Sequence, residues 1–260
     1  MVTGIGFSAL SNNTTGRYHV AVGNQALNSC TTAWNNVAVG SSSLQNDTTG
    51  GFNNAVGVSA MQTNTSGANN TAFGYQALYN NTTQAFNVAV GNKALMWNRA
   101  GNCTAVGYQA LLGVSGTNAA ENNTAVGFEA GKSTTTGADN TFVGYHAGLN
   151  NATGGYNVFV GRECGSSATN SLSHMIGIGR AALQNATAGD VIGIGKFAAQ
   201  GASGSHAIAI GEYAGNASGI GSVYIGYEAG KQDTGTYTVA IGYEAGPSSS
   251  TGNGVFIGRQ

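Results

Sequence analysis

A short unit, first seen clearly as NTAFGYQAL over Asn70–Leu78, recurs with drift along the whole chain. Its most constant point is a glycine preceded by Val, Ile or, once, Phe, and successive copies are spaced 15 to 20 residues apart. Self-similarity at this period is the signature of a solenoid or array. The sequence therefore predicts an all-β protein, a parallel β-solenoid of about 16 coils of 15–20 residues.

Positions are numbered here from the repeat glycine, so that position −1 is the residue before it. In Val37-Ala38-Val39, as in most copies, two β-branched residues flank one small residue, and this period of two predicts a strand. Side chains at −3 and −1 point to one face of a strand and the side chain at −2 points to the other. We expect the β-branched pair to fill the core and the alanine to lie on the outer face.

The repeat glycine is predicted to form a corner where the strand ends, because glycine tolerates positive φ and close backbone approach. Alanine dominates position +3, which indicates a cramped site, and position +4 changes from Leu or Met in early copies to mostly Gly in later ones. The predicted structural corner glycines are Gly23, Gly40, Gly57, Gly74, Gly91, Gly107, Gly127, Gly144, Gly161, Gly179, Gly195, Gly211, Gly226 and Gly242, flanked by the terminal copies at Gly6 and Gly258.

Repeat length and position −4 predict two sub-blocks, residues 1–165 and residues 166–260. The first has longer repeats with an Asn-Thr-Thr-Gly-like turn, and the second has mostly 15–16-residue repeats without Asn at position −4. Residues at one position of stacked coils lie above one another, so the first sub-block is expected to carry an Asn ladder, interrupted by Cys103. Its members are Asn36, Asn53, Asn70, Asn87, Asn123, Asn140 and Asn157.

Charge is scarce: charged residues make up 7% of the chain, against about 25% in ordinary domains, and the net charge is −1. No electrostatic footprint for nucleic acid or an anionic membrane exists, and no apolar run is long enough to insert into a bilayer. A surface so poor in charge favours burial of much of the outer face against copies of the same chain.

The units NTAFGYQAL, NTAVGFEAG, VAIGYEAG and IGIGRAAL resemble the repeat region of phage tail-fibre proteins and the head of trimeric autotransporter adhesins. The long repeats are more similar to the first group, and residues 176–258 to the second. This resemblance implies a left-handed parallel β-roll, assembled as a parallel homotrimer and used for attachment. Separate rolls and an interleaved triple β-helix both remain open.

The function expected from this resemblance is that of a structural and adhesive fibre section, in a virion tail fibre or at a cell surface. Its partners would be copies of itself, with possible end-to-end stacking, and a cell-surface glycan or protein receptor. The head of a bacterial trimeric adhesin is the main alternative; a polysaccharide-cleaving tailspike and an ice-binding solenoid are others. Neither a cofactor nor enzymatic activity is expected.

Aromatic residues often follow the corner glycine, where exposed rings could stack on sugars. Packing over neighbouring corners or within a subunit interface is the alternative. The candidates for sugar stacking are Tyr75, Tyr108, Tyr145, Tyr227 and Tyr243.

A candidate metal site comes from His174, Asp190 and His206, which all lie five residues before their glycine in consecutive repeats. Stacking would align them in a column, and imidazole and carboxylate suit a divalent metal. The alternatives are an Asp hydrogen-bonded between two imidazoles, or three exposed turn residues.

Two further patterns bear on the alternatives. Glu228 and Glu244 share position +2 in adjacent repeats, about 5 Å apart if stacked, a separation possible for a glycoside-cleaving pair; solvated side chains near Lys231 are the alternative. Position +8 is threonine in the first five repeats, those of Gly6 to Gly74, and these residues could form a column like those of ice-binding solenoids: Thr14, Thr31, Thr48, Thr65 and Thr82. The three cysteines lie about four coils apart, too far for a disulfide.

Overall fold

The computed structural model of this chain describes residues 1–97, 99–116, 120–167, 171–246 and 253–259. These residues form one strand per predicted repeat and no helix. The chain divides into two compact units, unit 1 (Met1–Glu129) and unit 2 (Ala130–Gln260), each with eight of the strands. The strands of unit 1 are β1 Val2–Ile5, β2 His19–Val22, β3 Val37–Val39, β4 Asn54–Val56, β5 Thr71–Phe73, β6 Val88–Val90, β7 Thr104–Val106 and β8 Thr124–Val126. Those of unit 2 are β9 Thr141–Val143, β10 Val158–Val160, β11 Ile176–Ile178, β12 Ile192–Ile194, β13 Ile208–Ile210, β14 Val223–Ile225, β15 Val239–Ile241 and β16 Val255–Ile257.

Within each unit, neighbouring strands pair in parallel at equal repeat positions. Ala72 pairs with Ala55 on one side and Ala89 on the other, and in unit 2 Gly193 pairs with Gly177 and Ala209 in the same way. Strand pairing sets the rise per coil at about 4.8 Å. The predicted parallel β-solenoid is confirmed, and sequence spacing alone located its strands.

The corner glycines also lie where the repeat placed them. Gly74 has φ of +139°, a conformation open essentially to glycine alone. A Cβ atom added there would lie 2.5 Å from the carbonyl oxygen of Gly91 in the next coil, and one on Gly195 would lie 2.5 Å from that of Gly211. The glycines therefore line one edge of each unit, and any side chain there would force the coils apart.

The strands face the opposite way from the prediction. The alanines at position −2, such as Ala38 and Ala89, are buried, whereas the β-branched neighbours at −3 and −1 are half-buried or exposed. The cause is the narrowness of the coil, whose backbone takes positive φ at positions +2, +4 and −5. These bends leave a narrow interior, in which the strand contributes its −2 residue beside the buried residues at +3, +4 and −4. Alternation was predicted correctly, but the larger side chains point outward.

Two of the core positions, −2 and +4, are filled in complementary ways. In most coils of unit 1 a buried Ala at −2 faces a buried Leu or Met at +4, as with Ala72 and Leu78. In several coils of unit 2 the sizes are exchanged, so that Phe142 and Phe159 occupy −2 and Gly148 and Gly165 occupy +4. A Cβ on Gly148 would lie 2.5 Å from the Phe142 ring.

Asparagine side chains hold successive coils in register. At position −4, the side-chain oxygen of Asn36 accepts a bond from the Asn53 backbone N–H at 2.8 Å, and Asn53 does the same for Asn70 at 3.0 Å. In unit 2, Asn140 accepts from the Asn157 N–H at 2.9 Å. These amides are buried, so each bond satisfies groups that water cannot reach.

The two compact units meet in the sequence between residues 129 and 130. The predicted division into sub-blocks 1–165 and 166–260 is a different one, based on repeat length and position −4, and it stays a prediction.

The cysteines are free and buried, as the repeat spacing predicted. Burial raises the pKa of Cys164 to about 12 and is the main cause that raises that of Cys30 to about 11. Both thiols are therefore held in the protonated, unreactive form at neutral pH.

Candidate assembly face and binding edges

The outward side of the strands in unit 2 forms an almost wholly aliphatic surface, called here the sheet face. Ile178, at 41% exposure, and Ile210 are among its more open members away from the ends. Eight three-residue strands span roughly 38 Å by 10 Å. Apart from Thr141, its members at −3 and −1 are Val143, Val158, Val160, Ile176, Ile178, Ile192, Ile194, Ile208, Ile210, Val223, Ile225, Val239, Ile241, Val255 and Ile257.

The corresponding sheet face of unit 1 is more mixed. Valines predominate, but Asn54, Thr71, Thr104 and Thr124 bring polar groups to position −3, and Phe73 stands exposed at −1. No charged residue occupies either position in the two units. Parallel sheets are normally covered on both faces, so an uncharged, apolar parallel sheet open to solvent is unusual for a finished assembly.

The five predicted sugar-stacking tyrosines lie exposed on the corner edge, but several of their ring faces are already occupied. Tyr227 stacks on Tyr243 with ring centroids 5.1 Å apart, and Tyr108 stacks on Phe128 at the same distance. Tyr145 packs against His146 at 3.8 Å. Tyr75 is 45% exposed. These contacts cover part of the ring surface of four of the five tyrosines, and sugar binding here stays a prediction.

Charged side chains in unit 2 gather on the same corner edge and are largely paired. Lys196 Nζ lies 2.6 Å from a carboxylate oxygen of Glu212, and Lys231 Nζ lies 2.7 Å from one of Glu228. The hydrogen bond from Lys231 is the main cause that lowers the pKa of Glu228. A general acid for glycoside cleavage needs a raised pKa, so this environment does not suit Glu228 to that role.

The predicted metal set is not assembled. His174 Nδ1 and Asp190 Oδ1 lie 3.6 Å apart on the surface, and the His174 ring packs flat on Tyr156 with centroids 5.3 Å apart. Among the described residues, no group of three His, Cys, Asp or Glu side chains is placed to hold a metal ion. His206 lies exposed at the same position in the next coil, and the metal site stays a prediction.

The predicted threonine column exists as a set of hydrogen bonds. The Thr31 hydroxyl donates to the Thr48 carbonyl at 3.0 Å, and the Thr48 hydroxyl donates to the Thr65 carbonyl at 2.9 Å. Thr14 and Thr65 make the equivalent bonds, the latter to Thr82. Because these hydroxyl protons are engaged within the fold, the column does not offer the free array that the ice-binding alternative needed.

Sequence reasoning missed a second exposed aromatic series, at position −5 of unit 1. Tyr18, Phe52 and Phe86 are 57%, 58% and 64% exposed and occupy every second coil. Asn35, Asn69 and Asn102 take the same position in the coils between or after them. These six residues are called the aromatic row. The signal was present in the sequence, because His174, Asp190 and His206 hold the same position and were singled out.

A buried carboxyl group also escaped prediction. Asp47 occupies position +7, where Asn64 and Asn81 form an amide ladder in the following coils; Asn64 Nδ2 donates to Asp47 Oδ1 at 2.7 Å. Asn36 Nδ2 donates to the other oxygen at 3.0 Å. Desolvation outweighs these bonds and raises the pKa of Asp47 to about 8. A carboxyl in this place is therefore protonated at neutral pH and completes the ladder as a neutral group.

In the described residues, no helix has the length and apolar character needed to cross a lipid bilayer. A scan against protein-family models, a search of curated proteins and a search of solved structures each find no match to this chain.

Proposed function

We propose that this chain is a structural and adhesive section of an attachment fibre, of the phage tail-fibre kind, which assembles through its sheet face into a homotrimer. The observation that carries the proposal is the aliphatic sheet face of unit 2, supported by the sequence resemblance described above. The number of three chains comes from the resemblance, and burial of the apolar sheet face would drive their association.

Burial of the exposed strands would stabilise an assembly of several chains. Covering apolar surface is favourable by about 25 cal/mol per Å². A sheet face of roughly 380 Å² in one unit, from the strand dimensions, lies in the size range of exposed patches that mark interaction sites. No charged side chain at −3 or −1 has to be desolvated when a second copy covers it, so the cost of burial is small.

Assembly and attachment belong to one mechanism. A stack of in-register coils repeats the same surface residues at fixed spacing, and three chains multiply that array around an axis. Weak contacts made in many copies gain affinity by raising the effective concentration of each remaining site. The fibre would act at a virion or a cell surface and bind a surface glycan or protein receptor, without a cofactor.

The head of a bacterial trimeric surface adhesin is the second candidate. It is favoured by unit 2, where paired isoleucines at −3 and −1 in β11, β12 and β13 give the VAIG-like strands that resemble such heads. Both candidates require the same assembly, and the same experiment tests that requirement.

The test uses sedimentation velocity of the whole chain, with two lysines placed on the sheet face as Ile178→Lys together with Ile210→Lys. We expect a trimer for the natural sequence and a monomer with an unchanged circular-dichroism spectrum for the variant. Ile220→Lys, which adds a lysine at an exposed isoleucine away from the sheet face, is the matched control and should leave the trimer intact. A natural chain that stays monomeric at all concentrations would contradict the proposal.

A further inference from the structure

The aromatic row of unit 1 presents exposed aromatic side chains at a regular spacing. Tyr18, Phe52 and Phe86 have nearly identical φ, between +60° and +62°, so the same bend presents each ring at the same edge. Backbone bonds hold the bends in register: the Phe52 N–H donates to the Trp34 carbonyl at 3.0 Å, and the Phe86 N–H donates to the Ala68 carbonyl at 3.3 Å. The row is therefore part of the solenoid framework and does not sit on a separate loop.

Ring spacing distinguishes this row from the corner tyrosines. Its three aromatic members lie two coils apart, about 9.6 Å at the strand rise, which is too far for one ring to cover the next. Tyr227 and Tyr243, in adjacent coils, stack on each other instead. Among the described residues, Tyr18, Phe52 and Phe86 form no ring–ring or cation–ring contact, so no neighbouring ring or cation covers these exposed side chains.

Asparagines stand between the rings at the same position. The side chains of Asn35, Asn69 and Asn102 make no hydrogen bond within the part of the chain that the structure describes, and Asn69 and Asn102 are exposed. Each offers amide donors and an acceptor beside an aromatic face. The nearest cation along the chain, Arg17, lies over the Trp34 ring at 6.0 Å. The row itself carries no charge.

A linear sugar chain has the matching chemistry. A hexose offers an apolar C–H surface that packs on an aromatic ring, and a rim of hydroxyl groups that bonds to amides. In an extended glycan, equivalent faces recur about every second sugar, which corresponds to the separation of two coils. An uncharged row favours a neutral polymer over an acidic one, since nothing in it would neutralise carboxylates.

We infer that the aromatic row of unit 1 binds an extended, neutral, linear polysaccharide laid along the stacking direction. Tyr18, Phe52 and Phe86 stack on alternate sugars, and Asn35 and Asn69 bond to the hydroxyls between them. This inference rests on the proposed attachment function and names the chemical class of its receptor.

The test is isothermal titration of the whole chain with β-1,4-linked glucose oligomers of two, four and six units. Affinity should rise at least tenfold from two units to six, because each added pair of sugars reaches another ring. Phe52→Ala removes the middle ring and should cut affinity for the six-unit oligomer at least tenfold while changing that for two units little. Phe52→Trp should retain binding. Val58→Ala, which removes an exposed apolar side chain on the corner edge of unit 1, is the control and should leave affinity unchanged.

Three results would overturn the inference: no binding of any oligomer by the natural chain, affinity independent of oligomer length, or an equal loss in Phe52→Ala and Val58→Ala. Sedimentation of the same samples separates this failure from failure of the proposed function. A trimer that binds no oligomer removes the polysaccharide site alone, whereas a monomer that binds oligomers removes the assembly proposal and leaves the site standing.

Discussion

The coils of units 1 and 2 have the same backbone course but fill their cores differently. In unit 1 the strand supplies the small residue, and Leu78 and its equivalents fill the core from position +4; several coils of unit 2 place a ring on the strand and glycine at +4. The exchange has a backbone consequence, because position +4 takes positive φ, +52° at Leu78. A non-glycine residue there costs roughly 1–2 kcal/mol, so unit 1 gains a buried Leu at the expense of strain. The coils of unit 2 with glycine at +4 avoid this strain, whereas Leu183 and Ala199 of unit 2 carry it too.

The units also differ in their polar interiors and outward faces. Unit 1 buries Asp47 in an amide ladder, and its sheet face is interrupted by Asn and Thr. In unit 2 the buried Asp233 accepts bonds from the Tyr224 hydroxyl at 3.0 Å and the Gly235 N–H at 2.7 Å, and the sheet face is nearly all aliphatic. Under the two proposals made above, unit 1 would contact glycan and unit 2 would supply most of the assembly surface.

The largest expected effect is a pH dependence of the stability of unit 1, caused by its buried Asp47. Because folding raises the pKa of Asp47 from 3.8 to about 8, its contribution to stability is full below about pH 4 and is lost as pH rises to about 8. The loss is at most about 1.4 kcal/mol per pH unit. Asp47→Asn should remove it and extend the ladder of Asn64 and Asn81. Both tryptophans lie in unit 1, so tryptophan fluorescence during denaturation reports this unit.

Comparison of the natural chain with Asp47→Asn isolates the carboxyl. Burial lowers the pKa of the nearby His19, so protonation of that group opposes folding as pH falls below 6.5, and it does so in both proteins. The difference in unfolding free energy between them should grow steadily from pH 4 to pH 8. A difference that stays constant with pH would show that Asp47 is not a buried titrating group.

A second test gives one coil of unit 2 the core residues that are found in unit 1. Gly148→Leu places side-chain atoms in the Phe142 ring, so the free energy of unfolding should fall by about 3 kcal/mol. Adding Phe142→Ala recreates the Ala–Leu pair and should restore all but the strain of about 1–2 kcal/mol. Hydrogen exchange resolved along the sequence should show the loss confined to coils near Phe142. A double variant no more stable than the single one would contradict volume exchange.

The reciprocal change in unit 1 should cost less. Leu78→Gly leaves a cavity worth roughly 2–5 kcal/mol but relieves the positive-φ strain of about 1–2 kcal/mol, for a net loss of about 2 kcal/mol. Ala72→Phe in the same coil should recover part of it by filling the space. Denaturation followed by tryptophan fluorescence measures all three proteins. Stability gained by Leu78→Gly alone would mean that strain outweighs packing.

The repeat period predicted most of the fold, whereas side-chain size led to a wrong prediction of which strand face points inward. Corner glycines such as Gly74 and the strand beside it followed from spacing alone. The facing of the strand did not, because a period of two is symmetric and the β-branched side chains suggested a core. The interior width depends on positive φ at residues such as Gln76 and Leu78, types that give no local signal for that conformation. The aromatic row was missed because Phe52 and Phe86 alternate with asparagines at position −5, so no run of like residues marked that position.

The smallest expected effect concerns the turns. The Thr65 hydroxyl donates to the Thr82 carbonyl at 3.0 Å in unit 1, whereas in unit 2 the Thr187 hydroxyl reaches the Ala202 carbonyl only at 3.5 Å. Thr65→Val keeps the shape and removes the donor, and should lower the free energy of unfolding by about 1 kcal/mol. Thr187→Val should cost less than half as much, because a bond at 3.5 Å is weak. Chemical denaturation of both variants measures the pair. Equal losses would mean that the turns of the two units are held equally well and that the units differ only in their cores and faces.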